Sequence, residues 1–122
     1  MHETALVQDM LSIAHHALTK RRIRKVQTIK LAVGVLANVM PDALLFAFEA
    51  MSKNSIFEEA TLEMTSIPVG VRCDSCGFDY EPSRFPYTCP VCQSTLFKII
   101  QGEEFYIISL VCDEYEGRED YV

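Results

Sequence analysis

Four cysteines in two closely spaced pairs limit most strongly how this chain can fold. Cys73 and Cys76 form one pair, Cys89 and Cys92 form the other, and twelve residues lie between the pairs. Two residues between thiols allow both sulfurs of a pair to face one point. Two such pairs can place four sulfurs about 2.3 Å from a tetrahedral metal ion. The spacing therefore predicts that residues 69–101 fold as a small module around one metal.

Zinc is the metal predicted for these four thiolates, because a site with four protein ligands and no open position is typical of structural zinc. Iron in a rubredoxin-like site is one alternative, and two disulfides or free thiols are another. Structural zinc contributes on the order of 10 kcal/mol of coupled folding free energy. That contribution matters in a chain of only 122 residues, whose core must be modest.

The composition and the start of the chain predict a cytoplasmic protein. Met1–Thr4 lacks the basic segment that opens a signal peptide, and no apolar run is long enough to span a bilayer. Clustered cysteines without a secretory signal indicate a reducing compartment. We expect no association with membranes.

Hydrophobic periodicity predicts an α+β fold outside the cysteine module. Helical spacing predicts helices over residues 4–19 and from Pro41 to Lys53, and alternation predicts strands over 26–36, 59–67 and Glu104–Cys112. We expect the last strand to return to the first sheet. The prediction is a small mixed three-stranded sheet with two helices, formed by residues 1–68 and 102–122. The four-cysteine zinc ribbon of residues 69–101 would then be an insertion.

The charge distribution argues against a nucleic-acid partner. The formal net charge is −6, which is unfavourable for binding a polyanion. One basic run, Lys20–Lys25, follows the first predicted helix, and we interpret it mainly as a complement to the helix dipole. The zinc ribbon and this basic run together support one alternative function, that of a nucleic-acid-binding or transcription-associated module.

The amino terminus offers a second group of metal-binding atoms. His2 supplies an imidazole beside the terminal amine of Met1 and the backbone nitrogen atoms of His2 and Glu3. Such an all-nitrogen set suits Ni²⁺ or Cu²⁺. His15 and His16 lie on the polar arc of the first helix, where we expect them to be solvated. Cys112 lies in the last strand, where a small buried side chain is the expected role.

Several segments together resemble the HypA/HybF family of hydrogenase maturation nickel metallochaperones, over nearly the whole chain. They are, in order, Met1-His2-Glu3, Ala43–Glu49, Ala60–Met64, the two cysteine pairs with Gly77 and Pro90, and Gly102–Phe105. The family resemblance implies a carrier of nickel and not an enzyme. It implies nickel binding by Met1 through its terminal amine, by His2 and by Glu3, with the zinc held by the four cysteines.

The resemblance also implies partners. The family works with a HypB-type GTPase and supplies the [NiFe]-hydrogenase large subunit, and some relatives also serve urease maturation proteins. We expect a monomer or a weak homodimer, with Ni(2+) as cargo and Zn(2+) as a structural ion.

Overall fold

The computed structural model describes residues 2–115 and confirms the predicted α+β fold with two helices, a three-stranded sheet and a four-cysteine module. The prediction that the last strand returns to the first sheet is confirmed as well. The elements are α1 (Glu3–Ala17), β1 (Ile23–Gly34), a 3₁₀ turn (Val35–Ala37), α2 (Pro41–Met51), β2 (Thr61–Ile67), β3 (Gly70–Cys73), β4 (Asp79–Tyr80), β5 (Phe97–Gln101) and β6 (Phe105–Glu114).

The two helices contact each other through apolar residues at helical spacing. Val7, Met10 and Ala14 are the buried residues of α1. Pro41 occupies the first turn of α2, where its fixed backbone angle suits a helix start. No helix within residues 2–115 is long and apolar enough to cross a membrane.

The buried face of α2 differs from the one that its hydrophobic spacing predicts, which consists of Leu44, Leu45, Phe48 and Met51. Leu44 and Phe48 are buried as expected, but Leu45 is 38% and Met51 36% exposed, and Ala47 is buried instead. The helix is therefore rotated so that its small residue faces inward. Large apolar side chains remain on its outer side.

Strand β1 is the centre of the first sheet, whose order is β2-β1-β6. Its buried residues include Val26, Ile29 and Leu31. The N–H of Tyr115 donates to the carbonyl of Arg22 at 3.0 Å, near one end of β1. At the other end the N–H of Gly34 donates to the carbonyl of Glu104 at 2.7 Å. Strand β6 therefore runs antiparallel to β1.

The chain divides into two compact units. Among the described residues, the first contains 2–31, 39–65 and 106–115, and the second contains 32–38 and 66–105. The second unit thus adds a short piece of the early chain to the cysteine region. A close backbone approach explains this, because a Cβ on Gly34 would lie only 2.1 Å from the carbonyl oxygen of Gly102. Only glycine fits at position 34.

A second three-stranded sheet, in the order β4-β3-β5, supports the cysteines. Both neighbours pair antiparallel to β3, with Val71 opposite Tyr80 on one side and Cys73 opposite Phe97 on the other. The Arg72 guanidinium donates to both carboxylate oxygens of Asp79, at 2.7 and 3.0 Å. The first cysteine pair therefore begins at the end of a strand held from both sides.

Candidate metal centres

The four cysteines predicted as ligands lie together in the second unit. Their sulfur atoms are all within 4.8 Å of one another, and no other group of three or more potential ligands occurs within residues 2–115. The Sγ atoms of Cys73 and Cys92 are 3.5 Å apart, and those of Cys76 and Cys89 are 3.6 Å apart. We call the turn that carries Cys73 and Cys76 the first knuckle and the turn that carries Cys89 and Cys92 the second. Each of the two close sulfur contacts is thus between one knuckle and the other.

The sulfur separations fit a tetrahedral metal ion. Four sulfurs placed about 2.3 Å from a central ion lie about 3.8 Å from one another. A disulfide would need about 2.05 Å, and all five cysteines are free thiols. The cluster therefore has the dimensions of a tetrathiolate metal site, and four such ligands leave no coordination position for a substrate.

The two knuckles have the same local structure. In the first, the N–H of Cys73 donates to the carbonyl of Phe78 and the N–H of Gly77 donates to the carbonyl of Cys73, both at 2.9 Å. In the second, Cys89 and Gln93 donate in the same way, to Ser94 and Cys89, also at 2.9 Å. The same turn thus orients both cysteine pairs.

Each turn also directs a backbone N–H at a sulfur. The N–H of Ser75 lies 3.4 Å from the Cys73 sulfur, and the N–H of Val91 lies 3.4 Å from the Cys89 sulfur. The turns require a positive φ at equivalent positions, +80° at Gly77 and +64° at Gln93. Glycine adopts this conformation without strain, and the sequence indicated it only for the first knuckle.

The first cysteine of each knuckle is favoured as a thiolate. The backbone N–H of Cys76 is the largest influence on Cys73 and, together with that of Ser75, lowers its pKa from 9.0 to about 6 despite burial. Burial acts to raise the pKa of Cys89, but backbone N–H groups of its own knuckle, including that of Val91, outweigh it and lower the pKa. Hydrogen bonds to the charged form explain both shifts.

The second cysteine of each knuckle retains its proton without a metal. The N–H of Phe78 acts to lower the pKa of Cys76, but burial and the neighbouring sulfurs raise it to about 12. The N–H of Ser94 likewise acts to lower the pKa of Cys92, but the Cys73 sulfur and burial outweigh it, so that this pKa is also raised. A metal ion must displace these two protons, so metal affinity should fall in acid.

Five aromatic residues of the cysteine module contact each other. Phe78 and Tyr80 stack at a centroid distance of 6.3 Å, and Tyr87 contacts both Phe85, at 5.3 Å, and Phe97, at 5.1 Å. Phe85 is nevertheless 75% exposed. The rings therefore form two contact groups, one of which includes a largely exposed side chain, and not a closed core.

The amino-terminal candidates lie in the first unit. His2 is exposed and caps α1 with an extended backbone, and Glu3 is the first residue of the helix. Met1 lies outside the described residues, so its predicted amine ligand has no structural description. The first helical hydrogen bond of α1 is donated by the N–H of Leu6 to the carbonyl of His2, at 3.1 Å. The amide of Glu3 consequently has no acceptor within the helix.

The carboxylate of Glu3 is engaged elsewhere, which the sequence did not indicate. The backbone N–H of Met40 donates to its Oε2 at 3.1 Å. Met40 is the N-cap of α2 and its own side chain makes no capping hydrogen bond. Glu3 therefore supplies the cap of α2 from the start of α1. This contact joins the first residues of both helices.

Glu3→Ala should lower the midpoint of thermal unfolding by roughly 2–4 °C, because it removes this cap. Glu3→Gln keeps an acceptor oxygen and should lose less. The Met40 N–H lowers the pKa of Glu3 below its ordinary 4.5. The stabilisation from the Glu3 carboxylate is therefore fully present above about pH 4.5 and is lost as the pH falls through the lowered pKa. Melting curves of all three proteins between neutral and acidic pH test this; a difference that persists at low pH would contradict it.

A groove opens beside His2. Its volume is about 490 Å³, and it is lined by residues from the start of α1 and from α2: His2, Glu3, Thr4, Ala43, Phe46, Ala47, Ala50 and Met51. Phe46 is 74% exposed. The amino-terminal candidate site is therefore open to solvent and borders apolar surface.

The basic run after α1 pairs with the acidic end of β6. Arg21 forms an ion pair with Glu114, and Arg24 lies 3.5 Å from Asp113. The guanidinium of Arg24 also lies 4.8 Å from the ring centroid of Tyr115. Arg21 and Arg24 are thus paired with carboxylates at the end of β6, a contact that the interpretation of the run as a complement to the helix dipole did not include.

The remaining candidates do not join either centre. His15 and His16 are exposed in the last turn of α1. Cys112 is half-buried in β6, and burial raises its pKa. Its thiol stays protonated, as expected for a packing residue.

Comparison with known proteins gives a consistent result. The family described as "Hydrogenase/urease nickel incorporation, metallochaperone, hypA" matches residues 1–112. A hydrogenase maturation factor HypA from Moorella thermoacetica is 36% identical over 118 residues, which cover 97% of this chain and 100% of the relative. One from Lawsonia intracellularis is 37% identical over 112 residues, covering 88% and 95%.

The fold also matches a solved structure. The solution structure of the nickel metallochaperone HypA from Helicobacter pylori superimposes with a TM-score of 0.71 at 23% identity. The match covers 94% of this chain and 100% of that one. At this identity the likeness concerns the fold alone.

Proposed function

The chain belongs to the HypA family of nickel-incorporation metallochaperones, which are not enzymes, and on that premise we propose that it binds Ni(2+) at its amino terminus. The proposed ligands are the terminal amine of Met1, the imidazole of His2 and backbone nitrogens up to Glu3. The nickel is cargo, destined for the assembly of a [NiFe]-hydrogenase.

The observation that carries this proposal is the arrangement around His2. Its imidazole is exposed, and the neighbouring amide of Glu3 has no acceptor among the helix carbonyls; this amide interacts instead with the carboxylate of its own side chain, which a metal would have to displace. The Glu3 carboxylate already accepts a hydrogen bond from Met40. The donor set is therefore nitrogen, which suits Ni²⁺ but binds Cu²⁺ more tightly still. Selectivity must come from metal supply and from the partners.

We assign Zn(2+) to Cys73, Cys76, Cys89 and Cys92. Their separations suit its tetrahedral thiolate geometry, and the closed ligand set gives the ion a structural role. Iron in the same thiolates would give a red ferric protein, whereas the zinc protein is colourless. The zinc unit would stabilise strands β3 and β5 and the two knuckles.

The proposed partners follow from the family. They are a HypB-type GTPase and the [NiFe]-hydrogenase large subunit, with urease maturation proteins as further clients. An exposed site next to apolar surface suits a carrier that must release its metal to another protein. Because Arg21 and Arg24 are paired with acidic residues, the alternative of a nucleic-acid-binding ribbon is disfavoured.

Hydrogenase activity in a bacterium that lacks its own family member tests this function. The intact chain should restore activity at low nickel, whereas His2→Ala should not. A large excess of nickel should restore activity without the carrier, because metal supply is the only step that is missing. Rescue by His2→Ala that equals rescue by the intact chain would contradict the proposal.

A further inference from the structure

The four cysteine residues are not equally exposed, although each sulfur is at least partly buried within the cluster. Cys73 and Cys89 are buried, at 2% and 0% exposure, whereas Cys76 and Cys92 are exposed. The exposed residue is the second cysteine of each knuckle in both cases. The repeated turn explains this, because it directs the first cysteine inward from the end of its strand or loop and places the second on the outer side.

The sulfur of each exposed cysteine lies close to that of a buried cysteine of the opposite knuckle. Cys92 is 3.5 Å from Cys73, and Cys76 is 3.6 Å from Cys89. Disulfide formation requires each pair to close to about 2.05 Å, a movement of about 1.5 Å. Within a knuckle, by contrast, both cysteines lie in one turn that is closed by hydrogen bonds from Gly77 to Cys73 and from Gln93 to Cys89.

We propose that this cluster is a site of oxidative modification by peroxides, which oxidise Cys76 and Cys92 first and yield the cross-knuckle disulfides Cys76–Cys89 and Cys73–Cys92. The proposal rests on the tetrathiolate zinc site assigned above. It adds a reaction of that site and a defined pattern of linkages.

The chemistry balances as two equivalent steps. The sulfur of Cys76 or Cys92, which bound zinc would keep as a thiolate, attacks one peroxide oxygen, the O–O bond breaks, and the products are a sulfenic acid and hydroxide. The buried thiolate of the same close pair then attacks the sulfenic sulfur, which forms the disulfide and releases a second hydroxide. Each disulfide thus forms when two sulfurs lose two electrons in total, and one hydrogen peroxide is reduced to two hydroxides. Two disulfides consume two peroxides, remove all four thiolate ligands and release the zinc ion.

Cys112 provides an internal control. It lies in β6 of the first unit, is half-buried, and has no sulfur partner within residues 2–115. Burial keeps it a protonated thiol, which reacts slowly with peroxide. It should remain reduced while the cluster is oxidised.

The test uses the zinc-loaded full chain, after its zinc content has been measured. Hydrogen peroxide is added in steps, zinc release is followed with a chromogenic chelator, and the linkages are mapped by peptide mass spectrometry. We expect one zinc released for about two peroxides consumed, the linkages Cys76–Cys89 and Cys73–Cys92, and free Cys112. Limited alkylation with N-ethylmaleimide, without peroxide, should first label Cys76 and Cys92.

Three results would overturn the inference: zinc retained until Cys112 is oxidised, disulfides within each knuckle, or first labelling at the buried cysteines. These outcomes differ from failure of the zinc assignment itself, which would be evident beforehand as a protein isolated without one zinc per chain.

Discussion

Replacing His2 with alanine should weaken nickel binding by about 100-fold or more, because it removes the one side chain among the proposed ligands. The remaining amine and amide nitrogens cannot complete the same set. Isothermal titration of nickel into zinc-loaded protein measures the change. The fold should be unaffected, since the His2 side chain is exposed and makes no capping hydrogen bond.

Two matched controls are available in the same helix. His15→Ala and His16→Ala each remove an exposed imidazole from the last turn of α1, which is at the opposite end from His2. Both should bind nickel like the unmodified chain. A loss in either variant that matches the loss in His2→Ala would show that nickel is held elsewhere.

Cys73→Ser should abolish zinc binding and unfold the cysteine module. Cys73 is buried at the end of β3, and its sulfur accepts the N–H of Ser75. Loss of one thiolate opens the site, and structural zinc contributes on the order of 10 kcal/mol to coupled folding. We expect zinc content to fall from one per chain to nearly none and the amides of β3 and β5 to lose protection from hydrogen exchange.

Cys112→Ser is the matched control for this substitution. It changes the same type of side chain but outside the cluster, so zinc content and exchange in β3 and β5 should stay unchanged. Full zinc retention by Cys73→Ser would contradict the assignment of the four ligands. Protection in β3 and β5 that survives complete zinc loss would show that the sheet does not depend on the metal.

The sequence predicted the cysteine module best because its constraint is local. Two residues between thiols fix which sulfurs can meet, and the structure brings Cys73, Cys76, Cys89 and Cys92 together. The two helices and strands β1, β2 and β6 were also predicted with boundaries close to those observed, since their periodicity is strong, whereas the short strands β3, β4 and β5 were not predicted. The family prediction, carried by several short segments, is confirmed by the match over residues 1–112.

Contacts between distant backbone segments were not predictable. Residues 32–38 join the cysteine region because the backbone of Gly34 approaches that of Gly102. A single glycine in the sequence does not indicate which distant segment will approach it. The exposure of Leu45 and Met51 depends on how α2 packs, because hydrophobic spacing alone allowed either face to be buried. The capping of α2 by Glu3 crosses 37 positions of sequence.

The proposed nickel ligands rest on different grounds from the proposed zinc ligands. An amino-terminal histidine is a weak signal, and the family resemblance supplied its meaning. The structure adds that His2 is exposed, that the amide of Glu3 is free of the helix and that the Glu3 carboxylate is occupied by Met40. These features explain why the backbone and not the carboxylate is the proposed ligand.

Nickel titration of the chain with and without added residues before Met1 tests the central claim most directly, with zinc counted by elemental analysis in both proteins. An extension converts the terminal amine into an amide and leaves all four cysteines untouched. We predict that the extended chain retains one zinc but loses about 100-fold or more in nickel affinity. Equal nickel affinity in the two proteins would contradict an amino-terminal nickel site.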